Sequence, residues 1–340
     1  MSITAKDLPK AITTVLAANL VPFIKASPGV GKSQIVSQVA KEYNLKLIDI
    51  RLSQYDQTDL NGFPTINENK RSVYLPFETM PIEGDPIPEG YDGWLMFLDE
   101  INSAALAVQA AAYKLILDKQ VGQYNLHPDV YIVAAGNLAT DKAIVNRTST
   151  AMQSRMVHLN LSVSKEEWLA WAVNSGIDHR IISFIEFRGD DLLHRFDPNH
   201  NDDTFPCPRT WQFLSDIVKD REDINTHLDL IISEGTVGKG AAREFHSFIK
   251  IYSELPNIKD IMANPESIHI SNESSIRYAL SGYVASNITD SNVDTLYKFI
   301  ERLPKEFQVL VWRKAIKTNP TLMQSFVLKE WISKNAQELM

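Results

Sequence analysis

The chain of 340 residues has a single cysteine, Cys207, so no internal disulfide can form, which excludes a disulfide-stapled fold and fits a reducing compartment. It also lacks any apolar run near the roughly 20 residues that cross a bilayer. Met1 to Leu20 carries Lys6, Asp7 and Lys10 where a signal peptide would have its apolar stretch. A cytoplasmic protein without membrane insertion is expected. Positive charge is short as well: 34 Lys+Arg against 42 Asp+Glu leave a net charge of -8, which argues against polyanion binding by the chain as a whole and leaves room only for a local basic patch. There is no internal repeat and no low-complexity tract.

What remains is a packed, multi-domain chain. With 44% hydrophobic and 22% charged residues it has ample apolar surface for burial, which excludes disorder for the bulk. Single cores stop growing near roughly 250 to 300 residues, so about two domains are expected.

Up to about Leu161 the apolar residues come in short runs with little polar alternation: Leu20 to Ile24, Leu45 to Ile50, Trp94 to Leu98, Val130 to Ala135 and Met156 to Leu161. Strands covered on both faces read this way. Lys32 to Tyr43 and Ser103 to Asp118 are long enough for crossover helices between parallel strands. The pattern predicts an α/β fold, an αβα sandwich over residues 1–162. Pro64 to Gly93 breaks the rhythm with five prolines and interspersed Glu78, Glu83, Asp85 and Glu89. It reads as an insertion, either a small hairpin around Arg71 to Leu75 facing a partner or pore, or an acidic surface loop. Past Leu161 the runs become helical: Ser164 to Asn174, Asp178 to Phe187, Arg209 to Lys219, Ala241 to Ser253, Ser291 to Arg302 and Lys305 to Ile316. Ser164 with Glu167 three residues on makes a capping box at the first. The expected domains are therefore 1–162, an all-α segment 163–255 and a helical extension 256–340.

The strongest chemical signal is Ser27-Pro28-Gly29-Val30-Gly31-Lys32-Ser33, followed by Gln34, after a predicted strand and opening a predicted helix. Its glycines let backbone N–H groups turn toward an anion, and the helix N-terminus adds partial positive charge. Lys32 can reach outer phosphates and Ser33 offers a hydroxyl to Mg²⁺. This is a P-loop, except that its first glycine is Ala26, a change that Gly29 and Gly31 are expected to make tolerable. The run Trp94 to Leu98 ends in Asp99-Glu100, two carboxylates at the C-terminal edge of a buried strand. In a Walker B role, Asp99 would hold Mg²⁺ through water and Glu100 would polarise the water that attacks the γ-phosphate. Asn137, at the end of the next run, can donate and accept between Glu100, water and phosphate, as a sensor 1 does. ATP and Mg²⁺ are the implied ligands.

Taken in order, these motifs resemble an AAA+ ATPase, and within that class the MoxR type. Asp99-Glu100-Ile101-Asn102-Ser103-Ala104 resembles the D-E-I-N-x-A of that type, and Asp59-Leu60-Asn61-Gly62 its D-L-x-G. Pro208-Arg209-Thr210 resembles the sensor 2 of the helical lid, with Cys207 where serine is commoner. The resemblance spans about residues 15–255. It implies an ATP-hydrolysing homo-oligomeric ring, usually hexameric, that remodels or assembles a protein partner, usually a protein with a von Willebrand factor A domain. It also implies an arginine finger from the neighbouring subunit, worth on the order of 10³ or more in rate. Arg155, in the place of the family's A-x-x-x-R-F arginine, is the first choice and Arg147 the second.

Three further readings bear on function. Gly235 to Gly240 superficially resembles a second phosphate loop, but no buried strand precedes it, so a tight helix–helix corner is expected. His194, His200 and Cys207 lack the paired spacing of a zinc site and read as a polar linker. Arg302, Lys305, Arg313, Lys314 and Lys317 make a basic face on the extension, which keeps a nucleic-acid motor or loader as the alternative, alongside a nucleotide-gated scaffold with little turnover. The same architecture serves restriction GTPases, so the base is not fixed by sequence.

Overall fold

The computed structural model describes residues 2–138, 150–197, 202–253 and 255–335. The first half runs α1 (Leu8–Ala17), β1 (Val21–Lys25), α2 (Lys32–Glu42), β2 (Leu45–Arg51), α3 (Gln57–Asn61), β3 (Phe63–Ile66), β4 (Ser72–Leu75), β5 (Gly93–Asp99), α4 (Leu106–Asp118), β6 (Gln120–Val121), β7 (Tyr124–Asn125), β8 (Val130–Gly136), α5 (Thr150–Gln153) and β9 (Met156–Asn160). Each of the five expected runs is a strand. They form one parallel sheet in the order β2-β5-β8-β1-β9.

Alternation along the strands sends side chains to opposite faces, and both faces are covered. On one side Trp94, Met96, Leu98, Ile132 and Ala134 pack with Val108, Ala112 and Leu115 of α4. On the other, Leu95, Phe97, Val133 and Ala135 pack with Leu8 and Ile12 of α1 and Val36 and Val39 of α2. The fold is therefore an α/β P-loop sandwich. Its parallel register has a functional consequence, since it brings the C-terminal ends of β1, β5 and β8 to one edge of the sheet.

The insertion does contain a hairpin, β3 paired antiparallel with β4, with Phe63 opposite Leu75. Gly62 (φ 95°) is needed there, because a Cβ would lie 2.5 Å from the Leu75 carbonyl oxygen. The helix expected from Ser103 starts at Leu106 instead, because Ile101–Ser103 form a 3₁₀ turn. The capping box at Ser164 is half made. The Glu167 N–H donates to Ser164 Oγ at 3.3 Å, while the Glu167 carboxylate takes bonds from Thr4 Oγ1 at 2.6 Å and the Lys6 N–H at 2.9 Å.

The chain divides into two compact units, Met1–Glu167 with Phe196–Asn201 and Cys207–Arg209, and Trp168–Arg195 with Asp202–Pro206 and Thr210–Met340. The later elements are all helical: α6 (Lys165–Asn174), α7 (His179–Arg188), α8 (Asp190–Leu193), α9 (Pro208–Val218), α10 (His227–Val237), α11 (Lys239–Ser253), α12 (Ile258–Ala263), α13 (Ser274–Asn287), α14 (Val293–Ile300), α15 (Lys305–Thr318) and α16 (Phe326–Asn335). Phe184, Trp211, Phe245 and Phe248 form an aromatic cluster in the second unit, and Phe299, Trp312 and Trp331 centre the core of the extension. Gly238 (φ 87°) makes the expected corner between α10 and α11.

The basic face of the extension is largely engaged within the chain. Arg302 donates to the Pro265 and Ile268 carbonyls at 2.6 and 2.7 Å, Lys305 to Asn335 Oδ1 at 2.7 Å, and Lys314 to Ser183 Oγ at 3.0 Å and Glu186 at 3.3 Å. Arg313 and Lys317 remain exposed. Among the described residues no helix is long and apolar enough to cross a membrane.

Candidate functional site

The segment between β1 and α2 follows from its glycines. Gly29 (φ 77°) and Gly31 (φ 93°) both occupy the left-handed region, which alanine enters only at a cost of roughly 1–2 kcal/mol. Gly31 is the N-cap of α2, and among the described residues no side chain caps that helix. Lys32, Ser33 and the exposed Gln34 begin its first turn, so their N–H groups and the helix dipole face the loop of Ser27, Pro28 and Val30. Ala26, in place of the first P-loop glycine, is not among the positive-φ residues and is fully buried in the sheet's core. Its methyl group is accommodated.

The Lys32 ammonium donates to the Ala26 carbonyl at 2.8 Å, to Asn137 Oδ1 at 3.2 Å and to the Ser27 carbonyl at 3.4 Å. Ser33 Oγ lies 3.3 Å from Asp99 Oδ2, and Asp99 is buried at the end of β5. The next residue, Glu100, takes a left-handed conformation (φ 57°, ψ 31°) rarely adopted by a residue with a side chain. That turn takes its carboxylate off the strand, where Ser53 Oγ donates to Oε2. Thus Lys32, Ser33, Asp99, Glu100 and Asn137, chosen from three separate motifs, converge at one sheet edge. Asp49 on β2 carries a carboxyl pushed above its ordinary range, first by burial and then by Asp99 and Glu100, with Arg51 opposing. Negative charge is concentrated there. A hydroxyl and a carboxylate in an acidic surrounding are the hard oxygen donors that suit Mg²⁺, so Ser33 and Asp99 fit that ion.

Arg155 is exposed beside β9, just after α5, and Arg147 lies outside the described residues, as does His200. Arg209 is exposed, and its N–H donates to the Gly29 carbonyl at 3.1 Å. This contact draws the Pro208-Arg209 motif onto the phosphate loop. Cys207, read above as part of a polar linker, is instead buried, with its sulfur against Gly29, where a Cβ would lie 2.4 Å away.

The sequence reading missed Ser53 and gave no role to Asn102. Asn102 Nδ2 donates to the Asn137 carbonyl at 2.7 Å, and the Asn137 N–H donates to Asn102 Oδ1 at 3.0 Å. The D-E-I-N phrase held the signal for Asn102, whereas nothing in the pattern around Ser53 distinguishes it.

Residues 23–156, which span β1 to the start of β9, match the family described as ATPase family associated with various cellular activities (AAA). Over this segment the chain is similar to AAA ATPase domains. All the converging residues of the edge lie within it. No curated protein matches the chain. Solved structures that resemble it include a point mutant of Thermotoga maritima RuvB, at 16% identity over 77% of each chain with a TM-score of 0.41. Another is Brucella abortus NtrX in complex with ADP, at 12% identity over 97% of this chain and 67% of that one, also with a TM-score of 0.41.

Proposed function

We propose that the protein is a Mg²⁺-dependent ATPase of the MoxR type, working as a homo-oligomeric, hexameric ring that uses hydrolysis to remodel or assemble a protein partner, one bearing a von Willebrand factor A domain. The observation that carries the ATPase reading is the convergence of the phosphate-loop lysine on Asn137 while Ser33 reaches Asp99. The MoxR assignment is supported by the D-E-I-N and D-L-x-G phrases in their order around the same strands.

In this reading Lys32 exchanges its carbonyl partners for β- and γ-phosphate oxygens, and the first-turn N–H groups of α2 hold the remaining phosphate charge. Ser33 and Asp99 hold the metal, which when bound neutralises charge on the phosphate oxygens. Glu100 orients the attacking water and draws its proton toward the carboxylate. Asn137 donates to the γ-phosphate. Arg209 reads the nucleotide from its own chain, and Arg155, or Arg147, completes the site of the neighbouring subunit. The engaged state of Arg302, Lys305 and Lys314 favours this reading over the nucleic-acid alternative.

Turnover and binding, measured side by side with ATP and GTP, test it. Lys32→Ala should abolish nucleotide binding, whereas Glu100→Gln should keep binding and lose hydrolysis. Parent-rate hydrolysis by Glu100→Gln would remove the catalytic assignment.

A further inference from the structure

We infer that Asn102 is a positioning residue for hydrolysis, setting Asn137 through its backbone; the inference rests on the ATPase reading of this edge. β8 pairs with β5 only as far as Ala134, opposite Leu98, whereas on its other side it pairs with β1 through Gly136. Asp99 still pairs with Arg51 of β2, but beyond it the β5 chain leaves the sheet, because Glu100 turns left-handed and enters the 3₁₀ turn at Ile101. No β5 backbone group is then opposite Asn137. The Asn102 carboxamide takes that place with one acceptor and one donor, at 3.0 and 2.7 Å, as a peptide group of a neighbouring strand would. It extends the sheet past the end of its own strand.

Two features show that the carboxamide is built in. Asn102 is only 5% exposed, so both of its polar ends must be satisfied inside the protein, and the two bonds to Asn137 do so. Gly136 supplies the room: a Cβ there would lie 2.5 Å from Asn102 Oδ1, 2.9 Å from its Cγ and 3.1 Å from Phe23 Cε2. Its φ is not positive, so space and not backbone conformation requires the glycine. Asn102 thus ties the segment bearing Glu100 to the segment bearing Asn137, and the Asn137 side chain in turn meets Lys32. The distance between the water-orienting carboxylate and the phosphate-sensing amide is fixed by this bridge. A misplacement of about 1 Å in a reacting constellation can cost on the order of 10²-fold in rate.

The test is a split between turnover and binding. Asn102→Ala should lower kcat by about ten- to a hundredfold while changing the Kd for ATP by no more than about threefold. Asn102→Asp keeps size and one acceptor but sets an oxygen against the Asn137 carbonyl, so it should not rescue kcat, as it would if Asn102 merely filled space. Gly136→Ala should reproduce the loss by displacing the carboxamide, and Asn102→Ala with Gly136→Ala should be no worse than Asn102→Ala alone. Parent-like kcat in Asn102→Ala overturns the inference, as does full rescue by Asp. Should the Asn102 variants fail to fold, Gly136→Ala decides, and undiminished turnover there is fatal to the bridge. A parent that does not hydrolyse nucleotide at all sinks the ATPase reading itself; a parent whose hydrolysis depends on Glu100 but not on Asn102 sinks only this inference.

Discussion

Gly29→Ala isolates what the phosphate loop demands of its backbone. Gly29 sits at φ 77°, and a Cβ added there would lie 2.4 Å from Cys207 Sγ and 3.2 Å from Cys207 Cβ. Two costs follow. The left-handed conformation costs an alanine roughly 1–2 kcal/mol, which a loop that relaxes elsewhere must recover whenever nucleotide binds, a loss of about five- to thirtyfold in affinity. The sulfur contact adds to this, since Cys207 is buried and has little freedom to withdraw. Gly29→Ala should therefore weaken ATP binding by more than tenfold in calorimetric titration, with thermal denaturation run alongside to verify folding. Adding Cys207→Ala removes the sulfur at 2.4 Å and should restore part of the affinity, while the left-handed φ of 77° keeps the backbone cost and the Cβ at 3.2 Å remains tight. Parent-like affinity in Gly29→Ala would refute the reasoning. So would a double variant no better than the single one, for then the cysteine takes no part in shaping the loop.

Two other outcomes are expected. Mixing Arg155→Ala with Glu100→Gln subunits should restore turnover that neither has alone, since mixed interfaces pair an intact carboxylate with an intact finger; restoration by Arg147→Ala instead moves the finger. In the second unit, His246 Nε2 lies 2.9 Å from Ser233 Oγ, and burial holds its pKa below 6.5 against the pull of Asp229. The unfolded chain then takes its proton first, so stability is lost as pH falls through 6.5 toward the folded value, by at most about 1.4 kcal/mol per pH unit. Urea denaturation followed by tryptophan fluorescence reads this unit, which holds Trp168, Trp171, Trp211, Trp312 and Trp331. His246→Gln should flatten the loss between pH 6.5 and 5 without abolishing it, because burial also lowers His179; an unchanged slope excludes His246 as its source.

The sheet was legible because parallel strands are buried on both faces and must be written in continuous apolar residues. Trp94 to Leu98 can be nothing else once α4 and α2 are known to cover it. The helices that escaped notice have weaker patterns. α13 (Ser274–Asn287) mixes Ser, Gly and Tyr with its buried Leu280 and Val284, and α10 leaves Leu228 and Ile231 exposed, so apolar spacing alone does not mark the buried face of either. The start of α4 was missed by three residues for another reason. The turn at Ile101 is set by the left-handed Glu100, a demand of the site that local propensity does not encode.

A similar division separates the site residues that were legible from those that were not. A side chain that meets a ligand is constrained by chemical type: an ammonium for phosphate, a hydroxyl and carboxylate for a hard cation, a carboxylate for water. In the proposed ATPase reading, such requirements are what leave Lys32, Ser33, Asp99 and Glu100 readable in one sequence. Asn102 and Cys207 act on the backbone or on the room beside it, and what qualifies them is position. Asn102 is useful because β5 ends two residues too early to pair with Asn137, and Cys207 because Gly29 leaves space for a sulfur. Neither fact exists until the strands are in register. Ala26 shows the converse: its motif asks for glycine, but the backbone there runs in ordinary space against the core, and the sheet accepts a methyl group. Where chemistry contacts ligand the motif is binding, and where the backbone is already held by neighbours the fold relaxes it.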